Sequence, residues 1–446
     1  MSEDDERKLA AQSLAEEYST LDFGCEYSAN IPELLKTLNI SLALTSYQAG
    51  RLMFVRSDGK NLDVNYKRFN RPMGLTASTS GITLGVFTQV INFQREDGLI
   101  EKIKAPLEKI EDDITAPRLR LLEASDALDK KDDPDDINYI NNDINVLKDV
   151  TGGLENAEER QAAAEQLEKE LEQKQAFKEY SLSLFEPVDE RVDACFITRS
   201  SHYTGMINIH DIDWGEEGLW AVNSSFSCLC TLEPGYSFVP KWKPHFVSSL
   251  VPEDRCHLNG MGLKDGKPAF VTTFSTFDQP GMWRQGEKFH GTLMDVEHNE
   301  ILLQGLTMPH SPRWHRDRVY FCDSGLGLVS CYDPSSGSYE TIAELQGFAR
   351  GIDFYGSILF VGLSKVRAGN VQSQAPLLKK YEKTHSGIWL INLTDNSEIG
   401  YIKFTGNVDQ IYDVAVVPSS SFPELLEPSH PRMRNHFSHP ELRTDV

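Results

Sequence analysis

Tyr412-Asp413-Val414-Ala415-Val416 reads as an apolar strand with no strand to follow it, because Pro418 and a Ser-, Pro- and His-rich tail come next. The strands it lacks stand at the other end of the chain. Ser41-Leu42-Ala43-Leu44-Thr45, Arg51-Leu52-Met53-Phe54-Val55 and Asp63-Val64-Asn65-Tyr66 fit the second, third and fourth strands of one antiparallel sheet. Joining the two ends of the chain in a single sheet closes a ring and removes open sheet edges.

Five other segments share the pattern of a polar or small residue, a turn-like residue and an apolar alternation. They are Met73-Gly74-Leu75-Thr76-Ala77, His210-Asp211-Ile212-Asp213-Trp214, Asn259-Gly260-Met261-Gly262-Leu263, Ser311-Pro312-Arg313-Trp314 and Arg350-Gly351-Ile352-Asp353-Phe354. Their second positions, with Asp413, are separated by 137, 49, 52, 39 and 62 residues. Setting aside an insertion of roughly 80–90 residues in the first gap leaves a period near that of propeller blades, each a four-stranded sheet. A second apolar run follows each of these five anchors after about eight residues, as in Leu219-Trp220-Ala221-Val222 and Ile358-Leu359-Phe360-Val361. The fold expected is all-β, a six-bladed β-propeller closed by its N- and C-terminal strands, with an inserted acidic α-helical hairpin.

The chain has 446 residues, with 67 Asp plus Glu against 44 Lys plus Arg, a net charge of -23. That balance argues against nucleic acid and anionic membrane as partners, since both need a basic footprint. No apolar run is long enough to span a bilayer, and Met1-Ser2-Glu3-Asp4-Asp5-Glu6 has no basic n-region, so a cytoplasmic protein is expected. Seven scattered cysteines without a C-x-x-C pair fit a reducing compartment. The charge is uneven: residues 101–190 carry 25 acidic and 12 basic side chains, more than half of the net charge. Ile103, Leu107, Ile110 and Ile114, then Ala164, Leu167 and Leu171, recur at helical spacing there. The expected organisation is an N-terminal helical or flexible segment at 1–30, propeller at 31–100, the acidic helical insertion at 101–184, propeller at 185–420, and a flexible tail at 421–446.

Residues just before the anchors should converge at one mouth of the channel. His210, Asp211 and His310 are the candidate catalytic groups; Arg71, His257, Asn259, Ser311, Arg350 and Tyr412 are candidate ligand-binding groups. Histidine can act as general base or metal ligand, Asp and Asn as oxygen ligands, and Arg as an anion clamp. The same residues also suit bland roles: His and Asp at strand starts cap turns, and the charges of Arg350 and Asp413 can pair across the channel. His202-Tyr203-Thr204-Gly205, before the second blade, could cover the same mouth. Dinucleotide, P-loop, G-x-S-x-G and H-E-x-x-H signatures do not occur in the sequence.

The stretch from Ser41-Leu42 through Thr45-Ser46-Tyr47-Gln48-Ala49-Gly50-Arg51-Leu52 resembles the opening signature of an uncharacterised bacterial conserved-hypothetical family, a domain of unknown function. Ile209-His210-Asp211, His257-Leu258-Asn259-Gly260 and Pro309-His310-Ser311-Pro312-Arg313-Trp314 resemble its later blocks. More distantly, the stretch from Pro309 through Cys322-Asp323-Ser324-Gly325 to Tyr332-Asp333-Pro334 is similar to a blade of gluconolactonase and strictosidine-synthase-like propellers. That likeness implies a divalent cation such as calcium at the channel, with Asn259 and Asp413 as ligands, although Arg71-Pro72-Met73 stands where a first-blade Glu would be needed. The expected function is binding of a small polar or anionic molecule at the channel mouth, with metal-assisted hydrolysis of a lactone or ester as its enzymatic form. The alternative is a non-catalytic scaffold that docks a protein partner on the acidic insert.

Overall fold

The computed structural model describes residues 22–105, 187–285, 288–366, 374–427, 430, 433 and 436–439. They fall into two compact units, one from residues 1–96 with 193–425 and one from 97–192 with 426–446. The first is the propeller: six antiparallel sheets whose strand order runs outward from the channel.

The innermost strands are Leu75–Ala77, Ile209–Gly215, Leu258–Lys264, Pro309–His315, Phe348–Tyr355 and Asp413–Pro418, in blades 1 to 6. All six were expected from the anchors. Blade 6 closes as the sequence predicts: Asp413–Pro418 pairs with Ile40–Ser46, and Arg51–Ser57 and Leu62–Arg68 complete the sheet.

Every residue of Ile40–Ser46 is buried, because a second strand lies between two neighbouring blades. Its period-2 alternation then serves two cores at once. Leu42 and Leu44 join Phe360 and Leu390 of blade 5, whereas Ala43 joins Leu75 and Leu84 of blade 1. Comparable apolar clusters fill the other joints, such as Phe270 and Leu293 against Val319 and Phe321 between blades 3 and 4. Each fully buried Leu, Ile or Phe contributes about 1.5–3 kcal/mol, so these joints carry most of the hydrophobic stabilisation. Cys195, Cys228, Cys230, Cys256, Cys322 and Cys331 are buried and unbridged, and burial pushes the Cys228 thiol up to about 12. They pack as small hydrophobes.

Polar anchor residues tie each innermost strand to the next. Thr76 Oγ1 donates to Asp213 Oδ1 (2.9 Å), and the Met261 amide to Asp211 Oδ2 (2.9 Å). Asn259 Nδ2 donates to the Pro309 carbonyl (2.8 Å), and the Gly351 amide to Ser311 Oγ (2.9 Å). The Val416 amide donates to Asp353 Oδ2 (2.7 Å), and the Leu75 amide to Asp413 Oδ2 (3.0 Å). The circuit joins all six blades. It also explains the turn-like second position: at Gly351, with φ +75°, a Cβ would stand 2.8 Å from Asp413 Cα. Only glycine tolerates both the left-handed backbone and that approach.

Two elements depart from the expected organisation. Pro423–Leu426 is not flexible tail but a buried fifth strand of blade 1, lying beside Ala194–Tyr203. Cys25–Tyr27 likewise extends blade 5 by pairing with Ser397–Phe404. Helix Ile31–Leu38 starts with Pro in its first turn and ends at Asn39, whose left-handed backbone (φ 51°) lets its amide reach Leu35 and Lys36. In the second unit, Asp97–Leu99 is a 3-10 turn leading into helix Ile100–Lys104, and the Val188 amide donates to the Ile103 carbonyl. The remainder of the expected helical hairpin lies outside the described residues. No helix among the described residues is long and apolar enough to cross a membrane.

Candidate functional site

The innermost strands are irregular at the anchors. Pairing with the second strand slips between Ile209 and Ile212, Leu258 and Gly260, His310 and Arg313, and Ala349 and Ile352. Each slip is a bulge, which re-aims the side chains it carries. Arg71, His257 and Ser311 adopt the left-handed backbone region, uncommon for non-glycine residues and frequent at ligand sites.

These irregularities assemble a basic, aromatic cluster at the N-terminal ends of the strands. The His210 ring lies 4.7 Å from His257 and 5.8 Å from Tyr412, both edge-on. The Arg350 guanidinium carbon stands 3.4 Å from the centre of the Tyr412 ring. His257 stacks on Trp283 at 3.8 Å, and His310 packs edge-on between Phe274 and Phe348.

Arg350 decides the character of this end. It is 8 % exposed, yet among the described residues it has no hydrogen bond or ion pair, only the tyrosine face. A buried cation normally carries a carboxylate partner. The Tyr412 hydroxyl and Asn259 Oδ1 are also buried without a hydrogen-bond partner among the described residues. Burial pushes the Tyr412 phenol above its ordinary range, so it stays a neutral O–H donor.

The histidine tautomers follow from their contacts. Carbonyls only accept, so His210 Nδ1 donates to the Asn208 carbonyl and His310 Nδ1 to the Met308 carbonyl, each at 2.9 Å. His257 Nδ1 lies 2.9 Å from Asp254 Oδ1. Burial first, then the neighbouring cations, holds His210 and His310 well below the ordinary histidine range, so both are neutral. Ser224 and Ser324 touch the same Nδ1 atoms, at 2.7 and 2.8 Å. They are not activated nucleophiles: a Ser–His pair needs the imidazole lone pair on the serine side, whereas here that nitrogen carries the proton. Ser224 in turn donates its own proton to the Leu258 carbonyl.

Just inside this mouth, and on toward the C-terminal ends of the same strands, the channel is acidic. Arg313 forms a bidentate pair with Asp211 (2.7 and 2.9 Å), donates to the Met261 carbonyl, and lies 3.9 Å from Asp413. A cavity of about 240 Å³ opens there, lined by residues including Thr76, Asp213, Arg313, Trp314 and Asp353. Burial pushes Asp353 up to about 6 and raises Asp413 and Asp213 as well.

The sequence matches a domain of unknown function, DUF4915, over residues 29–150 and 153–426. The chain belongs to the DUF4915 family. A comparison with curated proteins finds no match. Among solved structures, the DUF4915 chain is similar to one titled "Crystal structure of Nidogen/Laminin Complex", with TM-score 0.44 and 8% identity over 85% of this chain and 99% of that one. It is also similar to the computationally designed Ika8 protein, with TM-score 0.31 and 5% identity over 83% of this chain and 76% of that one.

The DUF4915 site gathers His210, His257, His310, Arg350 and Tyr412 at one end, and Arg71 lies near enough to depress His210. Four other expected site residues are engaged elsewhere. Asp211, expected in catalysis, is the Arg313 partner and a blade tie; Asn259 Nδ2, Ser311 and Asp413 are ties. Asp413, expected as a metal ligand, is thus already bonded by the Leu75 amide and faces Arg313. Among the described residues no three His, Cys, Asp or Glu are spaced to hold a metal ion. His202 and Tyr203 do not cover the channel: they end the outer strand Ala194–Tyr203, with His202 Nε2 at the Ser237 carbonyl. Arg313, Trp283, Phe274 and Phe348 join the expected residues in these two clusters. Arg313 stands inside a quoted anchor, and its position three residues after His310 was the signal for it.

Proposed function

We propose that the propeller binds a small anionic molecule at the basic mouth, with Arg350 as the principal charge partner and the Tyr412 hydroxyl as a second donor. The buried, acid-free Arg350 carries this reading. An anion placed there supplies the missing counter-charge in a poorly solvated setting, where a charge-assisted hydrogen bond is strongest. The aromatic surround of Tyr412, Trp283, Phe274 and Phe348 provides the apolar wall that small-molecule sites use around a few fixed polar groups. Binding is favoured over serine-based hydrolysis because the imidazole nitrogens beside Ser224 and Ser324 carry the proton, and Ser224 donates its own to the Leu258 carbonyl.

The test is a thermal-shift series on the full chain with inorganic phosphate, sulfate, citrate and uncharged glucose. Oxyanions should raise Tm in a saturable manner, glucose should not, and Arg350→Met should abolish the shift without lowering the starting Tm. Equal shifts in the native protein and in Arg350→Met refute the reading.

A further inference from the structure

Three imidazoles at this mouth present the same nitrogen. His210 and His310 spend Nδ1–H on backbone carbonyls, and His257 places Nδ1 against the Asp254 carboxylate. Asp254 is itself fixed by Arg284, 2.8 Å away, whose guanidinium lies over the Trp283 face. No described residue hydrogen-bonds to Nε2 of any of the three. In His210 and His310 the proton on Nδ1 leaves a lone pair on Nε2, which accepts hydrogen bonds and cannot donate them.

A fully ionised oxyanion offers only acceptors, so it satisfies Arg350 and Tyr412 but does nothing for these two Nε2 acceptors. The complementary ligand must also bring donors. Ammonium donors are disfavoured, because Arg350 and Arg71 already make this end positive. Hydroxyl groups meet the requirement without added charge. We infer that the ligand of the basic mouth is a polyhydroxylated oxyanion, its anionic head on Arg350 and Tyr412 and its hydroxyls donating to Nε2 of His210 and His310. This rests on the anion-binding reading above and narrows it to one chemical class. Metal coordination would be the other use of such lone pairs, but these rings are not spaced for it.

Matched probes separate the two requirements. Ribose 5-phosphate, n-pentyl phosphate and ribose would be titrated calorimetrically into the full-length protein at pH 7.5. Threonate, butyrate and threitol form a second set that distinguishes a carboxylate head from a phosphate. Within at least one set the hydroxylated anion should bind at least tenfold tighter than its alkyl counterpart, and the neutral polyol should give no heat. His210→Phe and His310→Phe should each lower affinity for the hydroxylated anion while leaving the alkyl anion unchanged. Long-range proton–nitrogen NMR gives an independent check: Nε2 of His210 and His310 should report as unprotonated and shift when the hydroxylated anion is added. Equal affinity for hydroxylated and alkyl anions overturns this inference but leaves the anion site standing. Absence of binding by every anion overturns both.

Discussion

The two ends of the channel are built from the same six strands and have opposite chemistry. Beyond the N-terminal mouth, charge is internally balanced: Arg313 is clamped by Asp211 and flanked by Asp413. At the N-terminal end, Arg350 is buried and has only an aromatic face beneath it. The difference separates a charge that holds the fold together from one that awaits a partner. Asp and Arg residues at strand starts look alike in a sequence, and only their partners reveal which kind each is.

The comparison can be broken in several ways. Deleting residues 409–446 removes a strand that serves both ends and opens the ring, so cooperative unfolding should be lost; a cooperative calorimetric transition at the parent Tm would refute the closure. Next in size is Arg313→Met, which strands Asp211 and Asp413 as buried, unpaired carboxylates. It should cost about 3–5 kcal/mol in chemical denaturation. The acidic end should also respond to pH. Asp353 is pushed up to about 6 by burial, so its ionisation penalises the folded state as pH rises from about 4 through 6. Asp353→Asn should remove that loss, seen as a Tm gap that moves in favour of the variant between pH 4 and 7, by about 1 kcal/mol per pH unit at its steepest.

The basic end should show the opposite sign. His210 and His310 sit below the ordinary value of 6.5 in the folded state, so protons favour the unfolded chain and stability falls as pH drops below that value. His310→Phe should flatten this limb in a pH series of melting curves. Smallest is the effect of Arg350→Met on stability. With no salt bridge to lose, it should leave Tm unchanged or slightly raised, in contrast to Arg313→Met.

How much of this was legible depended on length and on pairing. The closure of blade 6 was readable because Ile40–Ser46 and Arg51–Ser57 are seven-residue strands bounded by turns. Cys25–Tyr27 and Pro423–Leu426 escaped because three or four residues, one set opening with Pro, contain too little alternation to register. The convergence of His210, His257, His310, Arg350 and Tyr412 was legible from their equivalent positions in the repeat. The ties made by Asp211, Asn259, Ser311 and Asp413 were not, since Asp, Asn and Ser serve equally well to cap a neighbouring backbone or to bind a ligand. Trp283 escaped for another reason: it lies in a 3-10 turn between strands and reaches the mouth through tertiary contact with His257.

The central claim is that Arg350 is an anion site rather than a structural charge. Isothermal titration of inorganic phosphate into the full-length native protein and into Arg350→Met, at two ionic strengths, tests it most directly. Saturable heat in the native protein that weakens with salt and vanishes in the variant is the expected result; identical isotherms for the two proteins would contradict it.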